Sequence, residues 1–188
     1  GPDRLLMMVS TEEEHHFANS GTTLPEYWQE AERCIKKCND AGMKMCGTVS
    51  TIWGSPIGGA TELKDAVEFT KRWLELGAHD VEHADHDGSA SAPEVYRYFS
   101  MILDEIPNTD VHIAHFHETK RMAAASVLAC LQAGITHFEA TLGGLGGQPA
   151  NFLDDCPVKG TGEYYYNDPR YVGLMCLEDL LVQIDEMG

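Results

Sequence analysis

The feature that most constrains this chain is an alternation: a short apolar run followed by a longer helical segment, five times over. The runs cover residues 5–10, 44–50, 80–85, 111–116 and 136–142, each about the length of a strand buried in a parallel sheet. The segments between them carry helix punctuation. Thr23 and Glu26 make a capping box with Pro25 in the first turn, and Gly42 follows a helix predicted to run to about Asp40. Ser91, Pro93 and Glu94 repeat the device. Gly77 and Gly134 each close a helix just before a new strand, and a last helix covers about 177–187. Strand, helix and strand repeated in this way means right-handed crossovers and a parallel sheet.

Two architectures offer such a sheet. Open-sheet nucleotide binders carry a glycine fingerprint after the first strand, and none is visible here. Polar residues gather instead at the C-terminal ends of the runs: Ser10, Ser50, Asp85, His115, His117 and the glycine-rich stretch 143–147. Barrel enzymes place their chemistry at those ends, so a (β/α)₈ barrel is predicted. A full barrel takes about 250 residues and eight strands. Five strands cannot close one. Residues 1–188 are therefore expected to be a single partial barrel domain, about strands four to eight of a longer protein.

Composition narrows the partners. A hydrophobic fraction of 43% supports a real core, and 23% charged residues is ordinary for a globular chain. A net charge of −17, with 13 scattered Lys and Arg, argues against nucleic acid. No apolar run is long enough to span a bilayer, and no secretion signal is visible. Cys34 and Cys38 lie one helical turn apart, but none of the other cysteines (46, 130, 156 and 176) completes a zinc pattern. Reduced thiols in a cytoplasmic protein are the expectation. The partner that remains is a small molecule, with room for a homo-oligomer.

Three segments carry candidate chemistry. On a strand, residues two apart point to one face, so the imidazoles of His115 and His117 project into one space. Such a pair suits a divalent cation that still needs oxygen ligands; equally, buried histidines can simply satisfy each other's hydrogen bonds. Hydrolase barrels also use paired strand histidines, so the spacing leaves the reaction open. Asp85 ends its run and is placed either to move a proton on substrate or to cap a helix. Gly143, Gly144, Gly146 and Gly147 permit close backbone approach to a ligand, which makes Gly146, Gly147 and the strand-end Ser50 candidate substrate contacts. Ser10, Glu12, His15 and Asn19 are polar, and a plain loop explains them.

In order and spacing these segments resemble the 3-hydroxy-3-methylglutaryl-CoA lyases, within the pyruvate carboxyltransferase-domain family. The resemblance rests on His115-Phe-His-Glu-Thr, on His137-Phe-Glu-Ala-Thr-Leu-Gly-Gly-Leu-Gly-Gly and on Val81-Glu-His-Ala-Asp-His-Asp-Gly. Thr48-Val-Ser-Thr-Ile-Trp-Gly and Leu177-Glu-Asp-Leu-Leu extend it across nearly the whole chain. It implies a barrel enzyme that uses Mg²⁺ or Mn²⁺, with Zn²⁺ compatible with the imidazoles, to cleave a 3-hydroxyacyl-CoA or related hydroxy-acid. It further implies that His115 and His117 bind the metal and that Asp85 takes part in proton transfer. Three departures stand out. The Arg-Asp motif of the family's first strand is absent. Gln148 stands where the family has a loop cysteine acid, unless residues 148–155 are an insertion and Cys156 takes that place. The family's asparagine ligand falls near Leu174, with Glu163 and Asn167 as possible substitutes.

Overall fold

The computed structural model describes residues 2–55, 57–86, 88, 90–118, 121–146, 152–153, 156–157 and 173–188. Five parallel strands form one sheet: β1 (Arg4–Ser10), β2 (Lys44–Ser50), β3 (Asp80–Asp85), β4 (His112–Phe116) and β5 (Phe138–Glu139). Their spatial order follows the chain, β1-β2-β3-β4-β5, with no reversal. An open doubly wound sheet needs a point where the order turns back. A barrel winds one way only. The arrangement is an arc of a barrel wall.

The connecting helices are α1 (Glu13–Ser20) and α2 (Leu24–Asp40) after β1, α3 (Leu63–Glu75) after β2, α4 (Ala92–Glu105) after β3 and α5 (Ala123–Ala133) after β4. Both predicted capping boxes form, at Thr23–Glu26 and Ser91–Glu94, each with a proline in the first turn. Gly134 takes a φ of 103°, the left-handed turn that only glycine adopts cheaply, and ends α5 before the next strand. A final helix, α6 (Leu177–Met187), ends the chain, and β6 (Phe152–Leu153) pairs antiparallel with β7 (Cys156–Pro157).

One face of the sheet is dry. Val9, Val49, Val81, Ala114 and Phe116 point to it and are buried, with Trp28, Ile35, Trp73, Tyr98, Phe99 and Ile102 packed over them from α2, α3 and α4. Each of the Val, Ile and Phe side chains among them contributes about 1.5–3 kcal/mol when taken from water. Helix and sheet touch closely at Gly47, where an added Cβ would stand 2.3 Å from the Trp73 ring. The other face carries alternate residues of the same strands: Ser10, Cys46, Thr48, Ser50, Asp80, Glu82, Ile113, His115 and Glu139. In a barrel this second face looks inward.

Two expectations need correction. The strand expected over 136–142 is reduced to Phe138–Glu139, because residues 173–176 come in beside it. Thr141 N–H donates to Met175 O, Met175 N–H to Phe116 O, and Glu118 N–H to Gly173 O, so this segment wedges between the ends of β4 and β5. The loop expected after β1 is the helix α1. The Glu12 carboxylate caps it by accepting from the N–H groups of Glu14 and His15, and Gly21 closes it at a φ of 70°. Glutamate is a weaker capping signal than Ser, Thr, Asp or Asn, so the sequence did not announce this helix.

Candidate metal centre

Alternation along β4 puts His115 and His117 on the inward face, and their ring centroids lie 4.9 Å apart. Each ring is held through Nδ1. The Nδ1–H of His117 donates to the Asp85 carbonyl at 2.7 Å, across the end of β3. A carbonyl only accepts, so the proton sits on Nδ1 and the lone pair on Nε2. His115 Nδ1 stands 3.4 Å from Glu139 Oε2 and 3.5 Å from Glu82 Oε1. Neither Nε2 makes a hydrogen bond among the described residues. Two neighbouring imidazoles anchored at one nitrogen and open at the other match the needs of a divalent cation, so the donor set fits the group that the resemblance implies.

Electrostatics support this reading. Burial, then the neighbouring His115, lowers the His117 pKa to about 4, so its Nε2 keeps its lone pair at neutral pH. Beneath the rings two carboxyls meet. Burial first, then Glu139, raises the pKa of Glu82, while the hydrogen bond from His115 and then that from Glu82 lower that of Glu139. Glu82 therefore keeps its proton and Glu139 carries the charge. Ligand atoms of Glu82, His115 and Glu139 all lie within 4.8 Å of one another, the one such group among the described residues.

A second polar chain approaches from β1. Ser50 Oγ and Ser10 Oγ are 3.0 Å apart, Ser10 Oγ is 2.7 Å from His15 Nδ1, and His15 Nε2 is 2.8 Å from His86 Nε2. All four residues are buried. Asp85 is buried too. Its carbonyl reaches His117, while its carboxylate accepts from Ala90 N–H at 3.3 Å. Gly146 has a φ of 104°, and an added Cβ there would meet Leu174 Cδ1 at 3.0 Å. Leu174 bridges to His117, so an apolar side chain stands beside the second imidazole.

The structure therefore brings together His115, His117 and Ser50 at one end of the sheet, with Gly146 behind Leu174. Asp85 reaches them through its backbone carbonyl, while its carboxylate, in register with Phe116, lies toward the helix-covered face and accepts from Ala90 N–H. Gly147, Gln148, Glu163 and Asn167 lie outside the described residues, as does the side chain of Cys156, whose backbone opens β7. Sequence reasoning missed Glu82 and Glu139 and read His15 as an ordinary loop residue. The signal was there: an acid inside a strand of a parallel sheet, where both faces are covered, is out of place unless something holds it.

A family model described as HMGL-like matches residues 1–154. The chain belongs to the HMGL-like family. This HMGL-like chain is 28% identical over 170 residues to hydroxymethylglutaryl-CoA lyase of Pseudomonas mevalonii, covering 90% of itself and 50% of that protein. It is also 28% identical over 171 residues to the (R)-citramalyl-CoA lyase of Chloroflexus aurantiacus, covering 91% of itself and 48% of that protein. Among solved structures it superposes on an HMG-CoA lyase from Acenitobacter baumannii, in complex with coenzyme A and 3-methylmalate, with a TM-score of 0.83 at 27% identity. That match covers 99% of this chain and 55% of the other. The chain thus spans about half the length of the relatives it matches. Its five strands are a portion of their (β/α)₈ barrel. No helix among the described residues is long and apolar enough to cross a membrane.

Proposed function

We propose that this protein is a divalent-metal-dependent carbon–carbon lyase that cleaves a 3-hydroxyacyl-CoA or closely related hydroxy-acid thioester. The observation that carries the reading is the pair of neighbouring imidazoles, each tied at Nδ1 and open at Nε2, in a chain of the HMGL-like family. His115 and His117 would hold Mg²⁺ or Mn²⁺, which supplies Lewis-acid polarisation of substrate oxygens. The chain's own residues do the rest. The Asp85 carbonyl and the Glu139 carboxylate orient the imidazoles. Deprotonating the substrate hydroxyl turns it into a carbonyl as the C–C bond breaks, and the electron pair passes to the α-carbon of the thioester as an enolate, which then takes up a proton. Asp85 is our candidate for the proton transfer, with Gln148 or Cys156 at the position of the loop acid. Ser50, Gly146 and Gly147 are candidate substrate contacts. The five described cysteines are free thiols, in keeping with a cytoplasmic setting.

The test is incubation of the full-length protein with a panel of 3-hydroxyacyl-CoA thioesters, including the 3-hydroxy-3-methylglutaryl and citramalyl esters, with Mg²⁺ or Mn²⁺. Release of an acyl-CoA and a keto product is expected. No cleavage of any member, with an ion bound, would instead favour a barrel that keeps the site and has lost turnover. Leu174 is the residue that keeps that second reading alive, since it stands beside His117 and cannot bind metal.

A further inference from the structure

We propose that Glu139, backed by Glu82, is the positioning residue that fixes His115 for the cation, as the Asp85 carbonyl does for His117. The inference rests on the metal-dependent reading above and says how that site is built.

An imidazole can bind metal through either nitrogen, and a free ring turns about its Cβ–Cγ bond. With His117 tied at Nδ1 and open at Nε2, His115 on the same face joins it at one cation most directly through its own Nε2. For His117 the choice is made by one 2.7 Å bond to a backbone carbonyl that cannot donate. His115 has no such carbonyl. Its Nδ1 faces two carboxyl oxygens at 3.4 and 3.5 Å, on Glu139 and Glu82. The hydrogen bond goes to Glu139 Oε2, while Glu82 Oε1 stands at 3.5 Å without one, and an acceptor at Nδ1 rewards the Nδ1–H form. Glu139 pairs with His115 in register from β5 and holds the ring, and Glu82 flanks it from β3 on the other side. Thr48, in register with Glu82, is buried beside it. The layer beneath His115 is thus polar over three strands, where a barrel interior is ordinarily branched and apolar.

The same three groups could instead grip an ion themselves, through His115 Nδ1 and both carboxylates. That arrangement spends the nitrogen nearest the acids, leaves Nε2 idle and separates His115 from His117. The anchored geometry of His117 favours the outward nitrogen.

The experiment uses full-length protein as wild type, Glu139→Gln and Glu139→Asp. Mn²⁺ affinity and stoichiometry are measured by calorimetry, and the His115 tautomer by ¹⁵N NMR in the ion-free protein. Glu139→Gln is expected to keep one ion with affinity about 10- to 100-fold weaker, the usual cost of losing an outer partner of a metal histidine. Glu139→Asp is expected to recover much of that loss. The wild-type ring should be in the Nδ1–H form, and a mixture should appear in Glu139→Gln. Unchanged affinity and tautomer in Glu139→Gln overturn the inference, as does an Nε2–H tautomer in the wild type. Complete loss of the ion in both variants also overturns it, by making Glu139 a ligand. Failure of the wild type to bind Mn²⁺ sinks the metal reading itself, whereas an ion bound without thioester cleavage sinks the lyase reading and leaves this inference standing.

Discussion

Strands β3 and β4 carry two histidine pairs on opposite faces, and counting ring nitrogens separates them. On the helix-covered face, His112 Nε2–H donates to the Ile106 carbonyl at 2.9 Å, which leaves His112 Nδ1 to accept from His83 Nε2–H, also at 2.9 Å. His83 Nδ1 in turn accepts from the Tyr98 hydroxyl at 2.8 Å. Every nitrogen is used. On the inward face the same device, an N–H given to a carbonyl or carboxylate, occurs twice in parallel instead of once in series, and two nitrogens are left over. Buried histidines are therefore not in themselves a sign of function. A remainder in their hydrogen bonding is.

The sharpest way to break this comparison is to delete each pair in turn. The double variant His115→Ala, His117→Ala should lose its stoichiometric divalent ion and all cleavage, a larger effect than the roughly hundredfold cost of an outer partner. Tyr98→Phe, which strands His83 Nδ1 without a donor, should cost about 1–3 kcal/mol of stability and leave ion binding alone. Metal analysis and chemical denaturation of both proteins decide the matter. A Tyr98→Phe protein that folds normally but loses its ion would erase the distinction between the faces.

Acid should reveal the helix-side pair next. Burial lowers the pKa of His83 and His112, and likewise those of His15, His16 and His86. In the unfolded chain these groups take up protons below about pH 6.5. The folded chain resists until lower pH, so the unfolded state binds more protons and stability falls as pH drops through that window. Glu82 has the opposite sign. Its raised pKa makes it favour the folded state as pH falls from neutrality towards 4.5. Each fully neutral histidine contributes on the order of 1–2 kcal/mol between pH 7 and 5. The three most strongly shifted, His15, His83 and His86, together outweigh one carboxyl. The unfolding free energy from urea titrations should therefore fall by roughly 2–4 kcal/mol between those pH values, and a flat profile would show that the histidines are not held neutral.

Much of this architecture was legible in the residues. β2 and β3 fall at their predicted bounds, and both capping boxes form, because local signals decide them. His115 and His117 share a face because alternation along a strand leaves no other choice. What the sequence hid depends on distant partners. Only the wedge of residues 173–176 shortens β5, and only strand register brings Glu139 beside His115 and Thr48 beside Glu82. The helix α1 escaped notice because its cap is a glutamate and its His15 turns inward to Ser10 and His86.

The smallest predicted effect probes the Leu174 side of the inward pair. Leu174 bridges to His117, and its Cδ1 fills the space that a side chain at Gly146 would need. Two imidazoles alone leave a hard cation such as Mg²⁺ or Mn²⁺ short of the oxygen ligands it prefers. Leu174→Asn would place an amide oxygen beside His117, where the resemblance to HMG-CoA lyases puts an asparagine ligand. Gly146 leaves room for the shorter side chain. One added ligand worth about 1.4 kcal/mol would tighten Mn²⁺ binding roughly tenfold. Calorimetry on full-length Leu174→Asn measures it, with Leu174→Ala as the control for lost packing. If both substitutions leave affinity at the wild-type level, the ion does not sit on the Leu174 side of His117, and the oxygen ligands come from another part of the barrel mouth.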